Sequence, residues 1–238
     1  MPAQTIIAMI PARYAATRFP GKLMQALGNK SIIRHVYDNA VATGLFDDVM
    51  VVTDSEIIFN EIKASGGKAV MSKKVHESGS DRIAEAVEDM IVDVIINIQG
   101  DEPFLKKEPL EKLIRLFDDP SVQVASLMRK ISAEEATNPN AVKVVVDKNN
   151  DALYFSRGAI PFARDGASQY FLHVGVYAYR KNALLSYTKW PASKLELTEK
   201  LEQLRYLENG VKIRMAETDY INISIDTPED LEKAKKML

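Results

Sequence analysis

Residues 6–23 read I-I-A-M-I-P-A-R-Y-A-A-T-R-F-P-G-K-L. The first half is a short apolar run with the pattern of a buried strand. The second half puts Arg13, Arg18 and Lys22 on a loop cut by Pro11, Pro20 and Gly21. Prolines and a glycine restrict such a backbone, while guanidinium and ammonium groups offer charge-assisted hydrogen bonds to phosphate oxygens. Cations just past a strand end therefore read as a holder for a polyphosphate or as a solvated basic loop. Neither G-x-G-x-x-G nor G-x-x-x-x-G-K-[ST] occurs in the chain, so the dinucleotide fold and the Walker-type ATPases lack their usual sequence support.

Beyond the loop, Ser31 is placed to cap a helix whose apolar Ile32, Ile33, Val36, Tyr37, Ala40 and Val41 recur at helical spacing, with Gly44 at its end. Residues 49–53 read as a strand. Asp54 or Ser55 can then cap a helix carrying Ile57, Ile58 and Ile62, and Gly66-Gly67 closes it before a strand at 68–71. A polar segment at 76–81 leads into a helix through Arg82, Ile83, Ala86, Val87 and Met90, followed by a strand at 94–98. Strands alternating with helices imply parallel pairing, and strands apolar throughout imply a sheet covered on both faces. The predicted fold class is α/β: a Rossmann-like, mostly parallel sheet flanked by helices. Ligands of such sheets gather at the carboxyl ends of the strands, where the opening loop, residues 78–82 and Gln99-Gly100-Asp101 should converge.

The second half changes character. Residues 108–117 read as a helix and 122–129 as a strand, but 142–147 and 152–156 flank K-N-N-D, a strong turn signal for an antiparallel hairpin. Residues 171–179 form another strand candidate. Leu197, Leu201, Leu204 and Leu207 predict a single helix over 195–207, closed by Asn209-Gly210. Strands at 211–216 and 221–225 follow, and Thr227 with Pro228 and acidic residues opens a final helix. With no repeat or linker, residues 1–238 read as one domain. Its core spans about 1–130 and 211–238, and an antiparallel hairpin or sheet subregion is inserted at about 131–210.

A chain of 238 residues, 46% hydrophobic and 27% charged, can bury a sizeable core. Its 31 basic and 33 acidic residues nearly cancel, which argues against a nucleic-acid or anionic-membrane binder and makes any anion site local. The absence of cysteine excludes disulfides, thiolate metal sites and cysteine nucleophiles, and fits a reducing cytoplasm. No apolar run is long enough to span a membrane or to serve as a signal core, so a soluble cytoplasmic protein without membrane insertion is expected.

Two carboxylates stand out by position. Asp101 follows a buried strand in Q-G-D-E-P and Asp226 precedes T-P-E-D, so both could share one sheet rim with the cationic loop. Mg²⁺ takes one or two carboxylates, keeps several waters and uses substrate phosphates for the rest. Asp226 reads equally as support for a helix N-terminus, and Asp101 as part of a structural turn. None of His35, His76 and His173 sits in a nucleophile-base motif. His35 reads as a packed or surface residue, and His173 as a satisfied histidine or a ligand contact. Cations and paired acids without a nucleophile favour metal-assisted displacement at phosphorus.

These residues carry a resemblance. The segments I-P-A-R-Y-A-A-T-R-F-P-G-K-L, H-E-S-G-S-D-R-I-A-E, N-I-Q-G-D-E-P, N-P-N-A-V-K-V-V, A-L-Y-F-S-R-G-A-I-P, H-V-G-V-Y-A-Y-R, L-E-Q-L-R and I-D-T-P-E-D-L closely resemble the 3-deoxy-manno-octulosonate (Kdo) cytidylyltransferase family over essentially the whole chain. The resemblance implies a nucleotide-diphospho-sugar transferase-like fold. It also implies an enzyme, a nucleotidyltransferase that activates Kdo with CTP for lipopolysaccharide biosynthesis, using Mg²⁺ and acting as a homodimer. It places Arg13, Arg18 and Lys22 at the CTP triphosphate, Ser78, Gly79, Ser80 and Arg82 at the nucleotide, and Asp101 and Asp226 on the metal. Lys22, Asp101, Asp226 and Arg13 would be catalytic. Gln99, Arg157, His173, Tyr177, Glu202 and Gln203 match the sugar-acid site, with Arg157 the natural partner of the carboxylate. Ser80-Asp81 stands where many relatives have Thr-Glu, and Leu172 where a basic residue often precedes the histidine. The same reaction on 8-amino-Kdo or sialate, or a catalytically inactive nucleotide-binding module, are the alternatives.

Overall fold

The computed structural model describes residues 4–15, 19–76, 78–166, 168–221 and 223–238. The chain divides into two compact units, Met1–Lys107 with Asn222–Leu238, and Glu108–Ile221.

In the first unit, β1 (Ile6–Ala12) buries Ala8, Met9 and Ile10 completely, which is why it shows no polar alternation. A small hairpin of β2 (Ala26–Leu27) and β3 (Lys30–Ser31) follows. Helix α1 (Ile32–Ala42) begins as predicted, with Ser31 Oγ accepting from Arg34 N, and buries Ile32, Ile33, Val36, Tyr37 and Ala40. Gly44, at φ +65°, takes the left-handed conformation after the helix. Then come β4 (Asp48–Thr53), α2 (Glu56–Ala64), β5 (Ala69–Met71), α3 (Gly79–Val87) and β6 (Val94–Asn97). The strand order is β6-β1-β4-β5, and every pair is parallel, as the alternation of strands and helices requires.

The second unit starts with α4 (Lys107–Arg115) and continues through β7 (Val124–Ile131), α5 (Ala133–Ala136), β8 (Lys143–Val146), β9 (Ala152–Ser156) and β10 (Tyr170–Arg180). Its strands run β11-β7-β10-β8-β9, where β11 (Ile213–Glu217) is parallel to β7 and the other pairs are antiparallel. The predicted hairpin is β8–β9. Asn150 sits at φ 61°, and Asp147 Oδ1 accepts from the backbone N–H of Asn149 and Asp151.

After α6 (Lys181–Tyr187), the helix predicted over 195–207 is two helices, α7 (Lys194–Glu199) and α8 (Leu204–Glu208). Lys200 breaks the run in the left-handed conformation, φ 55° and ψ 49°. The leucine spacing is not the organising feature there. Leu197 is 54% exposed, while Glu196 is buried and takes two hydrogen bonds from Arg205, at 2.7 Å from Nε and 2.5 Å from Nη2. The Arg205 guanidinium also lies 4.3 Å from the centre of the Tyr187 ring. Removing one partner of a buried pair leaves an uncompensated charge, so Glu196→Ala should lower the urea unfolding free energy by about 3 kcal/mol. A loss below about 0.5 kcal/mol, the scale of an exposed pair, would contradict this.

The chain re-enters the first unit without the predicted strand at 221–225. None of its described residues joins a ladder, Ile221 is exposed, and fully buried Ile225 donates its N–H to the Asp101 carbonyl at 3.0 Å. One anchor replaces an alternating face. Helix α9 (Pro228–Lys235) ends the chain with the expected cap: Thr227 Oγ1 accepts from Asp230 N, and Asp230 returns to Thr227 N. Among the described residues no helix is long and apolar enough to cross a membrane.

Candidate active site

The carboxyl end of β1 is where the first unit assembles its polar groups. A Cβ on Gly79 would lie 3.1 Å from Pro11 Cγ, and one on Gly100 would lie 3.2 Å from the Pro11 carbonyl, so two segments approach this strand end more closely than a side chain ordinarily allows. Arg82, buried in α3, donates from Nη1 to the Ala12 carbonyl at 3.3 Å and from Nη2 to Asp54 at 2.8 Å. That hydrogen bond is the main cause holding the Asp54 carboxyl below its ordinary pKa. The three segments predicted to meet at the strand ends therefore do so.

Past Ala12, Arg13 and Tyr14 are exposed, and Arg18 lies outside the described residues. The loop is tied at its far end by Gly21 N to the Tyr14 carbonyl at 3.1 Å, with Gly21 at φ +66° against the Tyr14 ring. Gly21 thereby delivers Lys22, the first residue of a short 3-10 turn, Lys22–Met24. Lys22 Nζ lies 2.5 Å from Asp101 Oδ2 and 3.0 Å from Asp226 Oδ1. Burial on its own would lower the Lys22 pKa, but Asp101 and then Asp226 outweigh it and raise it, so the side chain is an ammonium.

The alternative readings of the two acids separate here. Thr227 and Asp230 supply the cap of α9, while the Asp226 carboxylate reaches Lys22. Asp101 sits on a turn after β6 and is pinned through its carbonyl to Ile225. Two carboxylates that converge, here on the Lys22 ammonium, match the one or two carboxylates that Mg²⁺ takes beside waters and substrate phosphates, and among the described residues no group of three or more His, Cys, Asp or Glu is placed to hold a metal. The residues present fit the ion.

The remaining nucleotide candidates flank this cluster. Ser78 caps α3, accepting from Asp81 N at 3.1 Å and donating to Asp81 Oδ2 at 2.8 Å. Gly79 and Ser80 form the first turn, whose backbone N–H groups face the helix N-terminus. Arg82 is engaged by Ala12 and Asp54, so in this structure it ties α3 to the strand end.

Of the sugar-acid candidates, Gln99 belongs to the first unit and is half-buried; the others belong to the second. His173 packs edge-on against Phe155 at 5.1 Å and tilted against Tyr177 at 5.3 Å between ring centroids. The stack continues through Tyr179, Tyr206 and Tyr187, whose hydroxyl is 3.5 Å from Glu202. Gln203 is buried at the start of α8. Arg157 stands on separate bonds, donating to the carbonyls of Glu199, Pro139 and Lys200 at 2.8, 3.2 and 3.4 Å. Burial, then Tyr179 and Glu202, push the Tyr177 phenol well above its ordinary pKa, so it is a neutral donor.

Burial also lowers the His173 pKa from 6.5 to about 4. Between those values the unfolded chain binds a proton that the folded chain refuses. This stabilising contribution is therefore full above pH 6.5 and is lost as pH falls towards 4, by at most about 1.4 kcal/mol per pH unit. Urea titrations from pH 6.5 to 4.5 should show a shallower loss for His173→Asn than for the wild type. Parallel profiles would contradict a neutral buried imidazole.

Two residues escaped the sequence reading. Lys143 is fully buried in β8 and donates to the carbonyls of Asn138 and Arg157 at 2.8 and 2.7 Å; burial, then the Arg157 charge, lowers its pKa. Ser126 is fully buried in β7 beside His173. In both cases the available signal was one polar residue inside an apolar strand.

The chain matches the Cytidylyltransferase family model over residues 7–213. It is 58% identical to a 3-deoxy-manno-octulosonate cytidylyltransferase of Flavobacterium johnsoniae over 98% of each chain. It is 52% identical to that of Christiangramia forsetii, covering 98% of this chain and 96% of the relative. A solved CMP:2-keto-3-deoxy-manno-octonic acid synthetase complexed with CTP matches with a TM-score of 0.94 at 42% identity, over 98% of each chain. A 4-diphosphocytidyl-2C-methyl-D-erythritol synthase from Anaerococcus prevotii, at 16% identity and a TM-score of 0.66, covers 98% of each chain and shares the fold. With the predicted α/β fold in place, the family model matched along most of the chain and relatives similar from end to end, the chain belongs to the 3-deoxy-manno-octulosonate cytidylyltransferase family of nucleotidyltransferases.

Proposed function

We propose that the chain transfers the cytidylyl group of CTP to Kdo, giving CMP-Kdo for lipopolysaccharide biosynthesis and releasing pyrophosphate. The observation that carries this reading is the Lys22 ammonium held between Asp101 and Asp226 beside the end of β1. The C2 hydroxyl of Kdo attacks the α-phosphorus of CTP in line with the leaving group. A bond forms from that oxygen to phosphorus, the bond to the bridging oxygen of pyrophosphate breaks, and the hydroxyl proton passes to solvent water. Arg13, Arg18 and Lys22 take up the charge that grows on the pyrophosphate. Ser78, Gly79 and Ser80 bring the N-terminus of α3 to the nucleotide, where backbone N–H groups favour an anion.

Asp101 and Asp226 would hold Mg²⁺, which, when bound, supplies Lewis-acid stabilisation of phosphoryl oxygens and acidifies the attacking hydroxyl. Gln99, Arg157, His173, Tyr177, Glu202 and Gln203 contact the sugar acid. The planar fork of Arg157 suits its carboxylate, in exchange for some of the backbone carbonyls now on that guanidinium. The same reading includes a homodimer, supported by exposed Phe162, Leu195 and Leu197 in the second unit. Light scattering should give roughly twice the 26.6 kDa chain mass, and a monomer would contradict it.

The deciding assay is pyrophosphate release with CTP or UTP against Kdo, 8-amino-Kdo or sialate, with and without Mg²⁺. Release requiring CTP, Kdo and Mg²⁺ together is expected. No release with Kdo, or faster release with another sugar acid, would overturn the substrate assignment.

A further inference from the structure

Ser126 is a lone hydroxyl in the apolar run V-A-S-L-M of β7 and is completely buried. Its Oγ has three partners on β10: His173 Nε2 at 2.9 Å, the Val176 carbonyl at 2.9 Å and the Val174 carbonyl at 3.1 Å. Both carbonyls come within reach because the β10–β7 register shifts between Val174 and Tyr177. A hydroxyl carries one proton, and a carbonyl oxygen can only accept.

If the Ser126 proton pointed at His173 Nε2, both carbonyls would face hydroxyl lone pairs at hydrogen-bond distance in a buried site. If it points at a carbonyl instead, Nε2 must be the N–H and donates to Oγ. The second arrangement makes two hydrogen bonds where the first makes one, and buried polar groups without partners are costly. A neutral imidazole has a single N–H, so Nδ1 is then a bare acceptor. It meets no hydrogen-bond partner among the described residues, and Phe155 and Tyr177 flank the ring.

We propose that Ser126 is a positioning residue that locks His173 in the Nε2–H tautomer and so makes Nδ1 an acceptor for a hydroxyl of the sugar acid. This rests on the reading that His173 belongs to the sugar-acid site. The tautomer itself does not depend on that reading and can be measured without substrate.

The test is long-range ¹H–¹⁵N NMR of substrate-free, ¹⁵N-histidine-labelled protein at neutral pH. The chain has 3 histidines, and the His173→Asn variant assigns the resonances. A protonated Nε2 and an unprotonated Nδ1 are expected at His173; the opposite pattern overturns the lock, whether or not the Ser126 variants fold. Ser126→Ala should then mix the tautomers and raise KM for Kdo about tenfold, the scale of one lost hydrogen bond, with kcat and KM for CTP little changed. Ser126→Thr, which keeps the hydroxyl, should restore both. If Ser126→Ala lowers Tm but leaves tautomer and KM at wild-type values, Ser126 only bridges the strand irregularity and the proposal fails. An Nε2–H spectrum in a protein that does not turn over Kdo would overturn the substrate assignment, and the acceptor role with it.

Discussion

Asp101→Asn should lower kcat by about a thousandfold while leaving Tm within a few degrees of wild type. Asp101 is fixed by its backbone, through the hydrogen bond from Ile225 N to its carbonyl, and that contact survives the substitution. An asparagine Oδ1 can still accept from Lys22, so the turn after β6 keeps its shape. What disappears is a negative charge at the point where Lys22, Asp101 and Asp226 converge, and with it one of the two hard anionic ligands available to Mg²⁺. Pyrophosphate release at saturating CTP and Kdo measures the effect, and calorimetry shows that the fold is intact. Activity within about tenfold of wild type at limiting Mg²⁺ would contradict the proposal that Asp101 holds the ion.

Lys22→Met should cost about a hundredfold or more in kcat, since the ammonium is the one described cation of the opening loop already seated in the cluster. Its effect on stability has a distinct signature. With the lysine gone, Asp101 and Asp226 face one another without their shared cation, and the unfolding free energy should fall by about 2 kcal/mol, between the values for exposed and buried pairs. Added Mg²⁺ should then raise Tm more in Lys22→Met than in wild type, because the ion replaces the missing positive charge. An equal Mg²⁺ effect on both proteins would contradict a common site for the two acids.

What could be read from the sequence divides by the range of the interactions involved. The caps at Ser31 and Thr227 were legible because each is a hydrogen bond closed within a few residues. The strands of the first unit were legible because burial on both faces removes every polar residue from a run such as Ala8-Met9-Ile10. The break at Lys200 was not, because the buried pair Glu196–Arg205 overrides a leucine spacing that alone looks helical. Nor was the fate of residues 221–225, where a single bond from Ile225 to Asp101 takes the place of a ladder.

The site divides in the same way. The positions of Asp101 and Asp226 beyond apolar segments marked them as candidates, yet each had an equally good structural explanation. Lys22 brings them together, being 79 residues from one and 204 from the other, a convergence no local pattern could show. Arg82 was matched to the nucleotide by the resemblance alone, and no pattern in the sequence marked its second task, the tie from α3 to Ala12 and Asp54. Ser126 showed in the sequence only as a lone polar residue in an apolar run, because its role depends on an irregularity in the strand beside it.

The most direct test of cytidylyl transfer to Kdo is ³¹P NMR of CTP, Kdo and Mg²⁺ incubated with the protein. The triphosphate signals should give way to a phosphodiester signal of CMP-Kdo together with pyrophosphate. CDP with orthophosphate, or an unchanged CTP spectrum over prolonged incubation with abundant protein, would contradict it.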